Sequence, residues 1–427
     1  MIGKMNHQEI SKNMKAQMLE ELTGNILPFW REKMTDTRRG GFYGRIDGQG
    51  NLDAAAEKGA ILNARILWAF SAACRVLRRP EYLETAMRAF DYVADHFIDP
   101  VYGGVYWSLD CEGHPVDRKK QSYAIGFTIY GLSEFVRAFQ AISAAEDHAG
   151  LSDKEYETFK EKSSKALEQA QRLFHDIESH AFDAGHNGYI EALSEDWKPI
   201  ADMRLSDKDE NGSRTMNTHL HIIEPYTNLL RVWPDARLRE RVENLIHIFV
   251  HRLLNADGHL DLFFNDEWQG RRNIQSYGHD IEASWLLNES LLVLQEHGTY
   301  DEADQLNKAI VDIAKAADKG LRQDGAMIYE HWMDSGKTDD SLQWWVQCEN
   351  VIGHVNLYQY HHDEAALAIA ADCWRYIDEH IVDKERGEWL WSVDADGTPN
   401  YTDDKAGFWK CPYHNTRMCL EIIERQF

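Results

Sequence analysis

The sequence predicts an all-α protein that closes into a ring of six helix pairs, an (α/α)6 barrel, with short β-hairpins around one mouth. Two observations carry this prediction. A hairpin-like segment recurs along the chain, and each interval is long enough for two helices. The first and last helices each lack a sequential partner, and joining them would complete a sixth pair.

The repeat is clearest in two segments that align without gaps. "HFIDPVYGGVYWSLD" (96–110) and "HIVDKERGEWLWSVD" (380–394) share His, Asp, Gly, Trp, Ser and Asp at equivalent positions. Each predicts a helix end, a glycine-containing turn and a short strand. Weaker copies follow the same plan: "RRGGFYGRIDGQGNL", "GHNGYIEALSEDWKP", "ADGHLDLFFNDEWQG" and "QDGAMIYEHWMDSGK".

Helices are predicted on either side of each hairpin. Outer helices such as "RVENLIHIFVHRLL" precede a hairpin and carry apolar residues at three-to-four spacing. The charged segment 143–170, in the longest interval, predicts an extended helical excursion. The first helix, "HQEISKNMKAQMLEELTGNILPFW", and the last helix, after Pro412, each expose one face. A ring covers both faces, whereas an open solenoid needs polar caps, so we expect residues 1–427 to form one catalytic barrel domain.

Composition narrows the functional classes. The 427 residues are 43% hydrophobic and include 14 tryptophans, enough for a large core, and the net charge of -25 repels phosphate backbones and anionic lipid. We therefore expect no nucleic-acid partner and no membrane partner. With no apolar stretch near the start and no long apolar window, we expect a cytoplasmic protein.

Missing motifs exclude further chemistry. The six cysteines are scattered without C-x-x-C, which predicts reduced thiols rather than a zinc site or a disulfide framework. The sequence has no G-x-G-x-x-G, Walker A, G-x-S-x-G or H-E-x-x-H motif. Nucleotide, serine-hydrolase and zinc-protease chemistry therefore have no support.

The helix after each hairpin is predicted to be the inner one, with its N-terminal part facing the mouth. Polar and aromatic residues are dense at this level, although inner helices should be apolar. One buried histidine is more often structural than catalytic, but recurrence at one level of the ring favours a shared site. The residues are Arg65, Tyr123, Asn217, His219, His221, Glu224, His279, Glu282, Trp344, Trp345, Glu349, Trp409 and His414.

Structural alternatives remain open for several of these residues. Arg65 could hold a carboxylate in an ion pair, and Tyr123 could pack with a satisfied hydroxyl. Trp344 and Trp345 could both belong to the core. Adjacent helical residues point about 100° apart, so only one of the two tryptophans can face the cavity squarely.

"HLHIIE" resembles a metal motif but has the wrong spacing for one. His219 and His221 diverge by about 200° on a helix and cannot both bind one ion. Asn217, His221 and Glu224 instead share a face through spacings of four and three, which presents a polar stripe to the cavity.

Two further histidines have the features of proton-transfer groups. Glu282 follows His279 by three residues, so its carboxylate can accept a hydrogen bond from one imidazole nitrogen and make the other more basic. Pro412 fits the first position of a helix, which places His414 in the first turn, where the helix dipole favours a neutral ring. Two neutral histidines across a tryptophan-lined cavity suit proton removal and return on an uncharged, polyhydroxylated ligand.

"MNTHLHIIEPYTNLLR", "GHDIEASWLL", "WWVQCENVIG" and "KCPYHNTRM" closely resemble motifs of the cellobiose 2-epimerases, within the N-acylglucosamine 2-epimerase superfamily. The likeness spans nearly the whole chain. The isoleucine and alanine of "HDIEAS" favour the cellobiose group. The resemblance implies an (α/α)6 barrel, no cofactor, no metal, and inversion at C2 of the reducing-end sugar of β-1,4-linked disaccharides. Cellobiose would give glucosyl-mannose, and lactose would give epilactose.

The resemblance also implies roles for individual residues. After ring opening, a histidine removes the C2 proton, a cis-enediolate forms, and rotation about C2–C3 exposes the other face for reprotonation. His279 matches the C2 acid/base, Glu282 its partner, His414 the second acid/base, which also assists ring opening, and His221 the histidine of ring closure. The family residues that contact the sugar or the enediolate correspond to Arg65, Tyr123 and Asn217. Those that stack on the sugar correspond to Trp344, Trp345 and Trp409. The expected partner is a small-molecule disaccharide, with the protein a monomer or weak homodimer.

Other activities remain open on the same scaffold. A mannobiose 2-epimerase differs only in substrate. An aldose–ketose isomerase or a monosaccharide epimerase would use the same histidines. A glycoside hydrolase needs two carboxylates across the scissile bond, and only Asp209 and Glu282 could be considered for that pair.

Overall fold

The computed structural model describes residues 7–146, 148–270 and 274–427. In chain order, its α-helices are α1 (His7–Glu21), α2 (Leu27–Lys33), α3 (Ala60–Leu77), α4 (Pro80–Tyr92), α5 (Ser122–Ser143), α6 (Asp153–Asp176), α7 (Met216–Leu230), α8 (Ala236–Ile248), α9 (Tyr277–Glu296), α10 (Ala303–Ala317), α11 (Trp344–His361), α12 (Ala366–Tyr376) and α13 (His414–Glu424). A π-helical turn joins α1 to α2, and similar turns extend α4, α6, α8 and α12.

The helices close into a ring. The inner helices α3, α5, α7, α9, α11 and α13 each contact the next, and α13 contacts α3. The outer helices pack against them, and α1 contacts both α12 and α13. The first and last helices of the chain therefore form the sixth pair, which confirms the predicted (α/α)6 barrel.

Burial distinguishes the two layers. The inner helix α5 is buried on all sides along Ser122–Val136, whereas the outer helix α10 buries a stripe that includes Leu306, Ile310 and Ile313. Helix α3 is long and apolar enough to cross a membrane by length and composition, but it is buried between α5 and α13 as a core helix. The large apolar content of the sequence thus fills the ring.

The charged segment 143–170 does not form an excursion. Ser143 ends α5, a short 3-10 turn spans His148–Gly150, and α6 then packs against α5 and α4 as an ordinary outer helix. Ser152 caps α6, accepting from the Glu155 amide while the Glu155 carboxylate accepts from the Ser152 amide. Asp147 lies outside the described residues.

Short strands occupy the mouth of the ring. They are β1 (Arg45–Ile46), β2 (Leu52–Asp53), β3 (Lys58–Gly59), β4 (Ser108–Leu109), β5 (Lys120–Gln121), β6 (Phe182–Asp183), β7 (Gly188–Tyr189), β8 (Ala192–Leu193), β9 (Arg214–Thr215), β10 (Phe263–Phe264), β11 (Ile274–Ser276), β12 (Glu330–Trp332), β13 (Lys337–Asp339), β14 (Leu342–Gln343) and β15 (Ser392–Val393).

Each predicted hairpin is present, but its strand also pairs with the neighbouring unit. β3 pairs with β4, β5 with β8, β9 with β10, β11 with β12, and β14 with β15. In each pair, the strand that precedes an inner helix joins the hairpin of the next unit. A bridge between Ile46 and Ala406 closes the circle from the last unit to the first. These pairings hold the N-termini of the inner helices at one level.

Buried lysines form ion pairs that connect hairpin turns to the segment preceding the next inner helix. Asp99 and Asp383, which the two aligned repeats share, each accept turn amides through one carboxylate oxygen. The other oxygen binds a lysine that lies shortly before an inner helix, with Nζ–Oδ2 distances of 2.7 Å for Lys120 and 2.6 Å for Lys405. The repeated aspartate is therefore a structural residue.

Replacement of Lys120 by methionine should lower the free energy of unfolding by about 3–5 kcal/mol, because Asp99 would stay buried without its cation. Urea unfolding followed by tryptophan fluorescence measures this change. The matched control is Lys308→Met, which breaks an exposed pair with Asp312 and should change stability by less than about 0.5 kcal/mol. Equal effects of the two substitutions would contradict a structural role for the buried pair.

Candidate active site

The candidate site lies where the first turns of the inner helices meet beneath the hairpins. An open cavity of about 530 Å³ at this mouth is lined in part by Trp107, Phe408 and Trp409. The residues predicted to act in catalysis or to contact the sugar lie in the first two turns of inner helices or just before one: Arg65, Tyr123, Asn217, His221, His279, Glu282, Trp344, Trp345, Trp409 and His414. The common level inferred from the repeat is therefore present.

His279 does not pair with Glu282, so that prediction was wrong. The Nδ1 atom of His279 lies 2.8 Å from the hydroxyl of Ser276, whereas Oε1 of Glu282 accepts from Nη2 of Arg417 at 2.5 Å. Spacing along one helix allows a pair, but the buried guanidinium from α13 is the stronger partner for a carboxylate. Burial, with the nearby His221, lowers the pKa of His279 to about 3, so its ring is neutral at neutral pH.

His414 is the first residue of α13, so Pro412 precedes the helix instead of occupying its first position. Nδ1 of His414 lies 2.6 Å from Oε1 of Glu349 on α11. Burial lowers the pKa of His414 well below its ordinary value, and the nearby positive charges of Arg65 and Arg417 lower it further. The neutral ring expected from the helix start is thus present, with burial as its main cause.

Both histidines pack against the same tryptophan. The ring centroid of Trp345 lies 4.8 Å from that of His279 and 5.7 Å from that of His414. Gly278 allows this approach, because a Cβ atom there would lie 2.7 Å from the Trp345 ring. Trp344 is buried against Trp391 and its ring contacts only His414 of the two histidines, whereas Trp345 contacts both.

Arg417 connects the carboxylates behind the histidines. Its Nη2 atom also donates to Oε1 of Glu349 at 2.7 Å, and its Nη1 atom donates to Glu224. Burial would raise the pKa of Glu224, but Arg417 and the hydrogen bond from His221 outweigh it and lower that pKa. Burial and the neighbouring Glu349 raise the pKa of Glu282 to about 7.

His221 occupies a kink in α7. Pro225 cannot donate to the carbonyl of His221 and would clash with it, and His221 accordingly has non-helical angles of φ -91° and ψ 16°. Gly126 on α5 makes room, because a Cβ atom there would lie 2.3 Å from the His221 carbonyl oxygen. Nδ1 of His221 lies 2.9 Å from Glu224, as the spacing predicts. On the same helix, Oδ1 of Asn217 is buried and has no hydrogen-bond partner within the described residues.

Arg65 is a buried cation that, in the described part of the chain, forms no ion pair with a carboxylate. Its guanidinium donates to the hydroxyl of Tyr123 at 2.9 Å and lies 4.1 Å from the Phe127 ring centroid and 4.6 Å from that of Tyr413. The structural ion pair considered for Arg65 is therefore not formed. A buried, uncompensated guanidinium is suited to stabilising negative charge that develops on a ligand.

The metal alternatives are weakened by the same geometry. His219 faces away from the site, since its Nδ1 lies 2.7 Å from the Thr215 carbonyl oxygen and its Nε2 accepts from an amide. Ligand atoms of Glu282, Glu349 and His414 lie within 4.8 Å of one another and could bind a cation. The guanidinium of Arg417 already contacts both carboxylates, so it supplies the positive charge that an ion would bring.

Sequence reasoning missed the partners that come from other helices. Arg417 follows His414 by three residues, a spacing that could have shown that both share a face of α13. Glu349 was recognised as an inner-helix residue, but its contact with His414 spans 65 residues. No local pattern indicates such a contact.

Replacement of Arg417 by methionine should lower the free energy of unfolding by about 3–5 kcal/mol at pH 8, because three buried carboxylates would lose their shared cation. Their pKa values in the folded variant would rise above the unfolded values. A carboxyl group whose pKa is raised in the folded state stabilises that state less as the pH rises. The decrease in the free energy of unfolding caused by the substitution should therefore be smaller at pH 5 than at pH 8.

Urea unfolding at both pH values measures this difference. The control is Arg375→Met, which removes an exposed arginine paired with Asp372 and should change stability by less than about 0.5 kcal/mol. A loss for Arg417→Met that is equal at pH 5 and pH 8 would contradict the shared-cation account.

The family model described as N-acylglucosamine 2-epimerase matches residues 41–417. A Bacteroides fragilis protein named cellobiose 2-epimerase is 54% identical, covering 96% of this chain and 98% of that protein. A Ruminococcus albus protein of the same name is 38% identical, covering 96% and 99%. The solved structure of cellobiose 2-epimerase from Bacillus thermoamylovorans superposes with a TM-score of 0.88 at 38% identity, covering 97% of this chain and 100% of that one. The chain therefore belongs to the N-acylglucosamine 2-epimerase family.

Proposed function

We propose that this protein interconverts glucose and mannose at the reducing end of β-1,4-linked disaccharides, with cellobiose as the primary substrate. The observation that carries the proposal is the pair of neutral histidines, His279 and His414, on one tryptophan ring, each with its Nδ1 bound to another side chain. The names of the full-length relatives support this reaction and this substrate.

The first chemical step opens the sugar ring. The C2 proton becomes acidic only when C1 is a carbonyl, so the anomeric hydroxyl must lose its proton while O5 gains one. Glu349 accepts from Nδ1 of His414, which leaves Nε2 of His414 as a base for the O1 proton. We assign His221, oriented by Glu224, to donate the proton that O5 gains on ring opening and to take it back on ring closure.

The second step removes the C2 proton. His279 takes the proton, the C–H electron pair forms the C1=C2 bond, and the carbonyl electrons move to O1 to give a cis-enediolate. Arg65, a buried cation without a carboxylate partner among the described residues, supplies the charge that stabilises this anion, and Tyr123 and Asn217 hold its hydroxyls.

The third step inverts the configuration. Rotation about C2–C3 presents the opposite face of C2 to His414, which carries the proton it took from O1 and delivers it to C2. His279 is left protonated, and ring closure returns that proton to O1. The histidines thus exchange roles in the reverse reaction, as an equilibrium epimerisation requires.

The mouth cavity supports a disaccharide substrate. Trp409 borders it and lies 6.0 Å from Trp107 and 6.2 Å from Tyr123, measured between ring centroids. A reducing sugar beside Trp345 would leave the second sugar over this aromatic surface. We propose that Trp409 stacks on the non-reducing sugar.

Incubation with cellobiose in heavy water should give glucosyl-mannose with deuterium at C2 from the first turnover, because the returning proton originates from an exchangeable hydroxyl. NMR spectroscopy of the product and of the recovered substrate measures the label. Release of glucose would identify a glycoside hydrolase instead. Label at C1 of a ketose product would identify an aldose–ketose isomerase.

Substitution of His279 or His414 by asparagine should lower the turnover number by about 10²–10⁴-fold, since each removes one proton-transfer group. The thermal unfolding temperature should stay near that of the wild type, because asparagine keeps a polar side chain at each position. The matched control is His114→Asn, an exposed histidine outside the site, which should leave turnover unchanged. Full activity of either active-site variant would contradict the assigned roles.

A further inference from the structure

The partner of His279 belongs to a longer network. Ser276, whose hydroxyl lies 2.8 Å from Nδ1 of His279, is the last residue of β11. Its partner in the antiparallel register is Glu330, the first residue of β12. Directly opposed residues of an antiparallel pair project side by side from the same face, so the Glu330 carboxylate lies next to the Ser276 hydroxyl and can accept its hydrogen. A carboxylate, a hydroxyl and an imidazole therefore stand in series.

The charges around Glu330 are negative. Asp339 lies opposite it on β13, and Asp209 approaches from the segment between β8 and β9. Tyr329 is the neighbouring titratable group, and beyond Ser276 lie His279 and then His221. Burial, together with Asp339, raises the pKa of Glu330 to about 7. Among the described residues, no cation forms an ion pair with Glu330, which leaves the Ser276 hydroxyl on the neighbouring strand as a donor for its carboxylate.

A serine hydroxyl that lies between a carboxylate and an imidazole couples the hydrogen bonds of these two groups. Its hydroxyl has a single hydrogen, and an ionised carboxylate can only accept it. When the Ser276 hydrogen points to Glu330, the Ser276 oxygen must accept from His279, which fixes the imidazole proton on Nδ1. Without the carboxylate, the serine can donate to Nδ1 instead, and the proton moves to Nε2.

We propose that Glu330 is a positioning residue that acts through Ser276, holding His279 with its proton on Nδ1 and its lone pair on Nε2, and stabilising the imidazolium formed during proton transfer. This inference rests on the proposed function in assigning His279 as the base. It replaces the Glu282 pairing that helical spacing indicated. Glu330 serves His279 as Glu349 serves His414, with a hydroxyl interposed.

The sheet that carries Glu330 gives it a fixed position. β11, β12 and β13 form a three-stranded sheet, while other sheets of the described residues have two strands. Ser276 ends β11 directly before α9 begins at Tyr277, and His279 is the third residue of α9. Strand pairing with Ser276 therefore fixes Glu330 beside the start of this helix. Trp345 packs on the His279 ring, and Tyr329 in turn contacts Trp345 with 6.1 Å between their centroids.

A double-mutant cycle tests the series arrangement. Glu330→Gln keeps the shape but removes the charge, and should lower kcat about tenfold with KM within about twofold. Ser276→Ala should lower kcat at least as much. In the Ser276→Ala background, the Glu330 substitution should have no further effect, because the connection is already broken. If the losses in kcat of the two single variants multiplied in the double variant, or if only KM changed, the proposal would be overturned.

Asp339→Asn is the matched control. It removes a carboxylate from the same sheet, directly opposite Glu330, but Asp339 accepts from the Ser341 amide, a bond that asparagine can keep. Its kcat should stay within about twofold of the wild type. A tenfold loss would show that any charge change in this sheet impairs the enzyme, and would contradict a specific role for Glu330.

The tautomer of His279 can be read without substrate. In protein labelled with ¹⁵N-histidine, the His279 signals are identified by their loss in the His279→Asn variant. The wild type should show a protonated Nδ1 and an unprotonated Nε2, and Ser276→Ala should shift the population toward the other tautomer. An unchanged tautomer would overturn the relay. Because no turnover is needed, this outcome is independent of whether the protein epimerises cellobiose.

Discussion

The structure depends on one buried arginine shared by three carboxylates. Arg417 of α13 binds Glu224 of α7, Glu282 of α9 and Glu349 of α11, so a single guanidinium joins four of the inner helices. Two of these carboxylates also orient imidazoles, Glu224 that of His221 and Glu349 that of His414. The contacts that join the inner helices at the centre of the barrel therefore also orient the imidazoles of the site. Fold stability and catalytic geometry depend on the same side chains.

Around this centre, the fold brings distant residues to one level. Strand pairs between neighbouring units, closed by the bridge from Ile46 to Ala406, hold the inner helices with their first turns beneath one mouth. The buried environment keeps the histidines neutral, and it leaves Arg65 as a cation without a carboxylate partner among the described residues. Neutral bases beside an uncompensated positive charge are suited to forming and holding an enediolate.

The sequence predicted the ring, because the repeated hairpins and the two unpartnered terminal helices are local or countable features. It also predicted the level of the site, since residues in the first turns of equivalent helices must converge. It did not predict the partners across the ring. His279 and Glu282 satisfy the helical spacing rule, but Arg417 competes for the carboxylate from another helix, and Ser276 takes the imidazole. Contacts of this kind depend on helix rotation and packing, which local spacing does not specify.

The central claim is that the imidazoles of His279 and His414 both reach C2 of the ring-opened sugar. A crystal structure with a reduced disaccharide, an open-chain alditol that resembles the ring-opened substrate but cannot react, tests it directly. The account predicts C2 of the alditol within about 3.5 Å of Nε2 of both histidines, so that either nitrogen can exchange a proton with the face of C2 that rotation about C2–C3 turns toward it. A complex in which only one imidazole reaches C2 would contradict it.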